Sequence, residues 1–260
     1  MHEGEMRASG VALATLVTLT SAALVYHRAN TAVERQRVSY KSGADTVQAV
    51  LSLPEGQGPF PAVIVIHEWW GLNEWVEANA RKLSQQGYLT LAIDLYRGAV
   101  AENAETAHEL SRGLPEDRAL RDLQAAFDYL STRPDVERTR IATLGWCMGG
   151  SYSLQAAARI PDLAACVVFY GRLITDEELI ARINAPVLGI FGGIDKGIPV
   201  KTVRAFEKEC HRLGRDVSIH VYPQAGHAFM NENNKSNYRE KDAADAWEKT
   251  LAFLADHLKK

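Results

Sequence analysis

From Val38 to the C-terminus the chain alternates two hydrophobic periodicities. Runs that are apolar at nearly every position occur at residues 62–66, 89–93, 141–144, 164–169 and 187–191, the pattern of strands covered on both faces. Between and after them, apolar residues recur at helical spacing: Val76, Ala80 and Leu83, then Leu120, Leu123, Phe127 and Leu130, and finally Trp247, Leu251, Leu254 and Leu258. Asn73 is placed as an N-cap, and Gly87 stands where a left-handed residue would stop the same helix. Residues 38–40 and 47–53, joined through 41–45, read as a leading antiparallel hairpin, and 218–222 as a late strand. Strand followed by helix, repeated, implies an α/β fold: a mostly parallel sheet with helices on both faces, joined by right-handed crossovers. Ligands of such sheets bind beyond the carboxyl ends of the strands, which is where His67-Glu68, Asp94, the glycines from 145 to 150, Tyr170-Gly171, Asp195 and His227 all fall.

The first residues break this pattern. Residues 11–26 are apolar with Thr and Ser but no charge, long for a signal-peptide core and short for a spanning helix. Ser21-Ala22-Ala23 offers small residues for a cleavage site, whereas Glu3 and Glu5 outweigh Arg7 ahead of the stretch and His27, Arg28, Arg35 and Arg37 follow it, a charge bias of the wrong sign. A start at Met6 would remove the acidic residues. The expected organisation is residues 1–37 as signal peptide or membrane anchor plus linker, and residues 38–260 as one domain, exported or tethered through 11–26, and cytoplasmic if that segment does not act as a signal. A length of 260 residues fits one α/β domain. A net charge of −3 without a basic run argues against nucleic acid as a partner and favours a small or uncharged substrate. Three cysteines cannot form a disulfide framework, and no C-x-x-C pair offers a zinc or redox site, so neither metal nor organic cofactor is expected.

Chemistry concentrates after the strand at 141–144. Gly145-Trp146-Cys147-Met148-Gly149-Gly150 is a nucleophile elbow, G-x-S-x-G with cysteine in place of serine. The glycines two residues either side leave room for a sharp strand-to-helix turn, and the helix N-terminus that follows favours a thiolate. Cys166, inside a strand, and Cys210, on a helix, read as buried structural thiols. Asp195 ends a buried strand in a Gly-rich loop and His227 follows the strand at 218–222, so the chain order Cys147, Asp195, His227 is the nucleophile–acid–histidine order of α/β-hydrolases. His108, His211, His220 and His257 read as solvated surface residues.

On these motifs residues 38–258 resemble the dienelactone hydrolase family, with His67-Glu68-Trp69-Trp70-Gly71-Leu72-Asn73 matching the segment after its third strand. The resemblance implies that Glu68 holds the resting thiol and swings away when substrate binds; a carboxylate beside the sulfur disfavours its charged form. It also places an oxyanion hole on the backbone N–H groups of Trp69 and Met148. Of the two arginines with which the family binds a substrate carboxylate, Arg97 stands near the first position and Asn231 at the second, where an amide cannot neutralise the charge. Lys235 or Arg239 would have to reach in from the following loop. Trp69, Trp70, Tyr96, Tyr170 and Phe229 would give the pocket an aromatic lining.

The expected activity is cofactor-free hydrolysis of a small ester or lactone by Cys147, His227 and Asp195 through an acyl-enzyme, with Arg97, Tyr170, Asn231 and Trp70 contacting substrate. The alternatives are a broad carboxylesterase or thioesterase without dienelactone activity and, further off, a non-catalytic or redox-sensing protein.

Overall fold

The computed structural model describes residues 34–260, together with Met1; the apolar stretch at 11–26 and the rest of the N-terminal segment lie outside the described residues. In chain order the elements are β1 (Glu34–Ser42), β2 (Asp45–Leu53), β3 (Phe60–Ile66), α1 (Glu74–Gln85), β4 (Leu89–Ile93), α2 (Ala104–Arg112), α3 (Glu116–Ser131), β5 (Val136–Trp146), α4 (Met148–Ala157), β6 (Ala165–Phe169), α5 (Glu177–Ala181), β7 (Val187–Gly192), α6 (Val200–Arg212), β8 (Val217–Tyr222) and α7 (Glu240–Leu258). Eight strands form one sheet in the order β1-β2-β4-β3-β5-β6-β7-β8. β2 runs antiparallel to both β1 and β4, and the remaining pairs are parallel.

Alternation along β3 shows why the central runs are apolar throughout. Val63 and Val65 pack with Trp75, Val76, Ala80 and Leu83 of α1 and with Ala246 and Leu254 of α7 on one face. Ala62, Ile64 and Ile66 pack with Leu123, Ala126 and Leu130 of α3 on the other. A third cluster joins Leu154 of α4, Cys166 and Val168 of β6, and Val203, Phe206 and Cys210 of α6. Burial pushes the Cys166 thiol up to about 11 and the Cys210 thiol up to about 12, so both are inert structural residues.

Helix α1 starts where Asn73 accepts a hydrogen bond from the Val76 N–H and stops before Gly87, whose φ of 89° supplies the left-handed residue. β1 and β5 run longer than their apolar cores. Their outer residues, Glu34–Arg37 and Glu137–Arg140, are charged or polar and largely solvent-facing; those of β1 pair with Val50–Leu53 of β2, whereas those of β5 fall where its register with β3 shifts. The folded body thus takes in residues 34–37, expected as linker. Among the described residues no helix is long and apolar enough to cross a membrane.

Candidate active site

Five loops meet beyond the carboxyl ends of β3, β5, β6, β7 and β8. Between β5 and α4 the chain reverses at Cys147 with φ 54° and ψ −115°, a conformation non-glycine residues rarely hold. A Cβ on Gly145 would overlap the Gly149 carbonyl and one on Gly149 the Ile66 carbonyl, so both positions exclude a side chain. The Cys147 N–H donates to the Phe169 carbonyl (2.9 Å) at the end of β6. Ser151 Oγ donates to the Cys147 carbonyl (3.2 Å) and accepts from the Arg172 N–H (2.7 Å), tying the turn to the loop after β6. Tyr170 (φ 37°) and Ala228 (φ 58°) also hold positive φ beside the sulfur, and strain of this kind, about 1–3 kcal/mol per residue, persists only where packing over-determines the backbone.

The sulfur reaches an imidazole and the imidazole a carboxylate. Cys147 Sγ lies 3.1 Å from His227 Nε2, and His227 Nδ1 lies 2.7 Å from Asp195 Oδ2. Asp195 is buried, and its Oδ1 accepts the N–H groups of Gly197 (2.7 Å) and Ile198 (3.1 Å). Burial alone would raise its pKa, but the His227 hydrogen bond and charge and these two N–H groups hold it below the usual carboxylate range. Burial opposes a charge on His227 as well; hydrogen bonds to Asp195 and Cys147 outweigh it and push the imidazole up to about 10. The Nδ1–H is therefore directed toward Asp195, which leaves Nε2 facing Sγ.

Glu68 is placed otherwise than the resemblance implies. It is buried beside the sulfur, but its Oε2 accepts from Asn231 Nδ2 (2.7 Å) rather than holding the thiol, and the thiol is turned to His227. Glu68 Oε1 and the Tyr170 hydroxyl are buried without a hydrogen-bond partner. Burial pushes the Glu68 carboxyl up to about 7, against the pull of Asn231 and His227. Its neighbour His67 is structural: Nδ1–H donates to the Glu68 carbonyl (2.6 Å) and Nε2 accepts from the Leu95 N–H (3.2 Å), and burial lowers its pKa. That pair fixes the backbone that presents the Trp69 N–H. Neither the Trp69 nor the Met148 N–H is taken up by another described residue.

Arg97 is not a pocket residue. Its guanidinium forms an ion pair with the fully buried Asp122 (2.8 Å) and lies 3.7 Å from Asp45, which ties the loop after β4 to α3 and the hairpin. Burial of Asp122 beneath α3 claims the cation, a tertiary demand that position in sequence does not reveal. Asn231 lines the cleft, but its amide N–H is spent on Glu68 and its Oδ1 accepts the Asn233 N–H (3.0 Å). Lys235 is outside the lining and Arg239 stands 3.7 Å from Asp242.

Two clefts open onto the sulfur and share Trp69, Cys147 and His227. One, about 600 Å³, is lined by Glu68, Trp70 and a set of asparagines. The other, about 630 Å³, is lined by Met148, Tyr152, Tyr170, Arg172, Ile198 and His108, whose ring meets Trp69 edge-on at 4.7 Å. His108 was expected at a featureless surface; α2 carries it to the rim although that helix buries only Ala107 and so left no periodic signal. Among the described residues no group of three or more His, Cys, Asp or Glu is placed to hold a metal ion.

The sequence pattern of the dienelactone hydrolase family matches residues 47–258. A Methylorubrum extorquens protein provisionally named a carboxymethylenebutenolidase is 31% identical over 217 residues, covering 78% of this chain and 74% of its own. A Klebsiella pneumoniae structure provisionally named a dienelactone hydrolase is 31% identical with a TM-score of 0.80, covering 86% of this chain and 99% of its own. A dienelactone hydrolase-like promiscuous phosphotriesterase from metagenomic libraries is 27% identical with a TM-score of 0.81, covering 87% and 99%.

Proposed function

Because this chain belongs to the dienelactone hydrolase family and is a hydrolase of that type, we propose that it cleaves small carboxylic esters or lactones through an acyl-enzyme on Cys147. The observation that carries this reading is the unbroken relay from Sγ to Nε2 (3.1 Å) and from Nδ1 to Asp195 (2.7 Å), opening onto both clefts. Hydrogen bonds to Asp195 and Cys147 push His227 up to about 10, which suits it to take the proton of the attacking thiol.

The thiolate attacks the acyl carbon, and the carbonyl electrons move to oxygen. The Trp69 and Met148 N–H groups receive that oxyanion, an arrangement worth roughly 3–4 kcal/mol per donor in enzymes that use it. As the carbon–oxygen bond breaks, His227 gives its proton to the departing alkoxide, leaving a thioester and a neutral imidazole. Water then attacks the thioester; His227 takes one water proton, the acid departs, and the relay returns to its first state. Asp195 keeps Nδ1–H oriented so that Nε2 faces the reaction throughout. Glu68, hydrogen-bonded to Asn231 in this arrangement, remains beside the sulfur as a group that would disfavour the thiolate when ionised.

With Arg97 engaged by Asp122 and Asn231 by Glu68, the two positions expected to bind a carboxylate offer none of the clamp, which favours a carboxylesterase acting on uncharged esters over the family's carboxylate-bearing lactone. The test is turnover of 4-nitrophenyl acetate by the full chain, with rapid quench and mass measurement of Cys147. The expected result is an acetyl group on Cys147 in the first turnover and loss of turnover in Cys147→Ala; unchanged turnover in that variant overturns the mechanism. Export or tethering through residues 11–26 rests on their sequence alone, and fractionation of cells making the full chain tests it.

A further inference from the structure

The cleft on the Glu68 side has an unusual lining. Asn73, Asn233, Asn234 and Asn237 face it, and no Lys or Arg does. Their hydrogen-bonding capacity is largely unused. Asn73 spends only its Oδ1, on the Val76 N–H, and Asn234 only its Oδ1, on Ser236 Oγ (3.0 Å). The side-chain amides of Asn233 and Asn237 make no hydrogen bond to the described residues. Four uncharged side-chain amides thus line one space, each able to donate and accept and none with a charge. Such a set suits a ligand rich in hydroxyl and ether oxygens. It suits a carboxylate poorly, since no cation compensates its desolvation and Glu68 is the nearest ionisable side chain other than Cys147 and His227. Beside the amides, the Trp69 and Trp70 rings stand edge-to-face at 5.1 Å and are partly exposed, offering aromatic surface against which an apolar C–H face of a ring can lie. The cation near the sulfur, Arg172, lines the opposite cleft.

We propose that the asparagine-lined cleft binds the polyhydroxylated portion of a neutral ester, such as an acylated sugar, with the scissile carbonyl at Cys147. This rests on the hydrolase reading above and adds the substrate class. Binding in this cleft adds hydrogen bonds that a simple alkyl ester cannot form, so kcat/KM discriminates between the two.

The experiment compares, with the full chain, kcat/KM for a monoacetylated methyl glycoside, for ethyl acetate and for the acetyl ester of a hydroxycarboxylic acid, whose carboxylate lies on the alcohol half, alongside 4-nitrophenyl acetate. The expected order is sugar acetate at least tenfold above ethyl acetate, with the carboxylate-bearing ester lowest. Asn233 and Asn237 are exposed, so Asn233→Leu/Asn237→Leu leaves the core packing untouched. Losing their hydrogen bonds should reduce the sugar-to-ethyl ratio about tenfold. A ratio near one in the unsubstituted protein, a ratio that the double substitution does not move, or preference for the carboxylate-bearing ester overturns the assignment. Failure to turn over 4-nitrophenyl acetate in a Cys147-dependent way would instead overturn the hydrolase mechanism itself.

Discussion

The substitution Glu68→Gln keeps the shape of the side chain and an oxygen for Asn231 to hydrogen-bond, while removing the titration. Glu68 is held at about 7 against an ordinary value of 4.5, chiefly by burial. The folded state therefore binds this proton more tightly than the unfolded chain does. The contribution is fully present below about pH 4.5 and is lost as the pH rises through about 7, so ionising Glu68 in the fold costs about 3 kcal/mol in all. Between about pH 5 and about pH 8.5 the native protein should lose about 2.5 kcal/mol of stability that Glu68→Gln retains. The assay is urea denaturation of both proteins at the two pH values. Other groups titrate in both and cancel in the difference. The gap between midpoints should widen by roughly 1 M toward alkaline pH, with Glu68→Gln the more stable protein there. Stability curves that stay parallel across that range would refute the claim that burial disfavours the ionised Glu68 carboxylate.

Further outcomes follow from the same geometry. Arg97→Leu strands the buried Asp122 carboxylate and should destabilise the fold by about 3–5 kcal/mol in thermal or chemical unfolding, while KM for neutral esters stays within twofold; a raised KM for carboxylate-bearing esters alone would return Arg97 to the pocket. Gly149→Ala forces a methyl group against the Ile66 carbonyl and should cost about 3 kcal/mol of stability, read by the same unfolding assays. The rate with ethyl acetate, whose alkoxide needs a proton to leave, should hold to about pH 10, where His227 loses that proton. Asp195→Asn removes a principal support of that proton, drawing the alkaline limb toward neutrality and lowering kcat by about 10²–10⁴-fold; an unmoved limb would mean that His227 is not the titrating group.

The parts of the molecule that obey a local rule were legible in the sequence. Buried strands gave continuous apolar runs, Asn73 and Gly87 bracketed α1, and the elbow glycines followed from a steric demand that any strand-to-helix reversal makes. What sequence could not give was set by partners far along the chain. Arg97 is claimed by Asp122 on α3, Asn231 by Glu68 after β3, and His108 reaches Trp69 from a helix with one buried residue. The polar end of β1 is specified by its ladder with β2 and that of β5 lies in a register shift against β3, and hydrophobic periodicity is blind to both. The run Asn231-Glu232-Asn233-Asn234, with Asn237, was visible as composition just past the histidine, but only the loop's approach to Trp70 and Asn73 turns it into a surface.

Because the two clefts meet only along Trp69, Cys147 and His227, the halves of an ester straddling the sulfur occupy separate compartments. On the proposed acyl-enzyme route, departure of the alcohol would empty one compartment while the acyl group stays in the other. The vacated side would on that route admit the resolving water next to the imidazole without displacing the thioester. Hydrolysis of the thioester would, on that route, proceed through a space the substrate itself has just vacated.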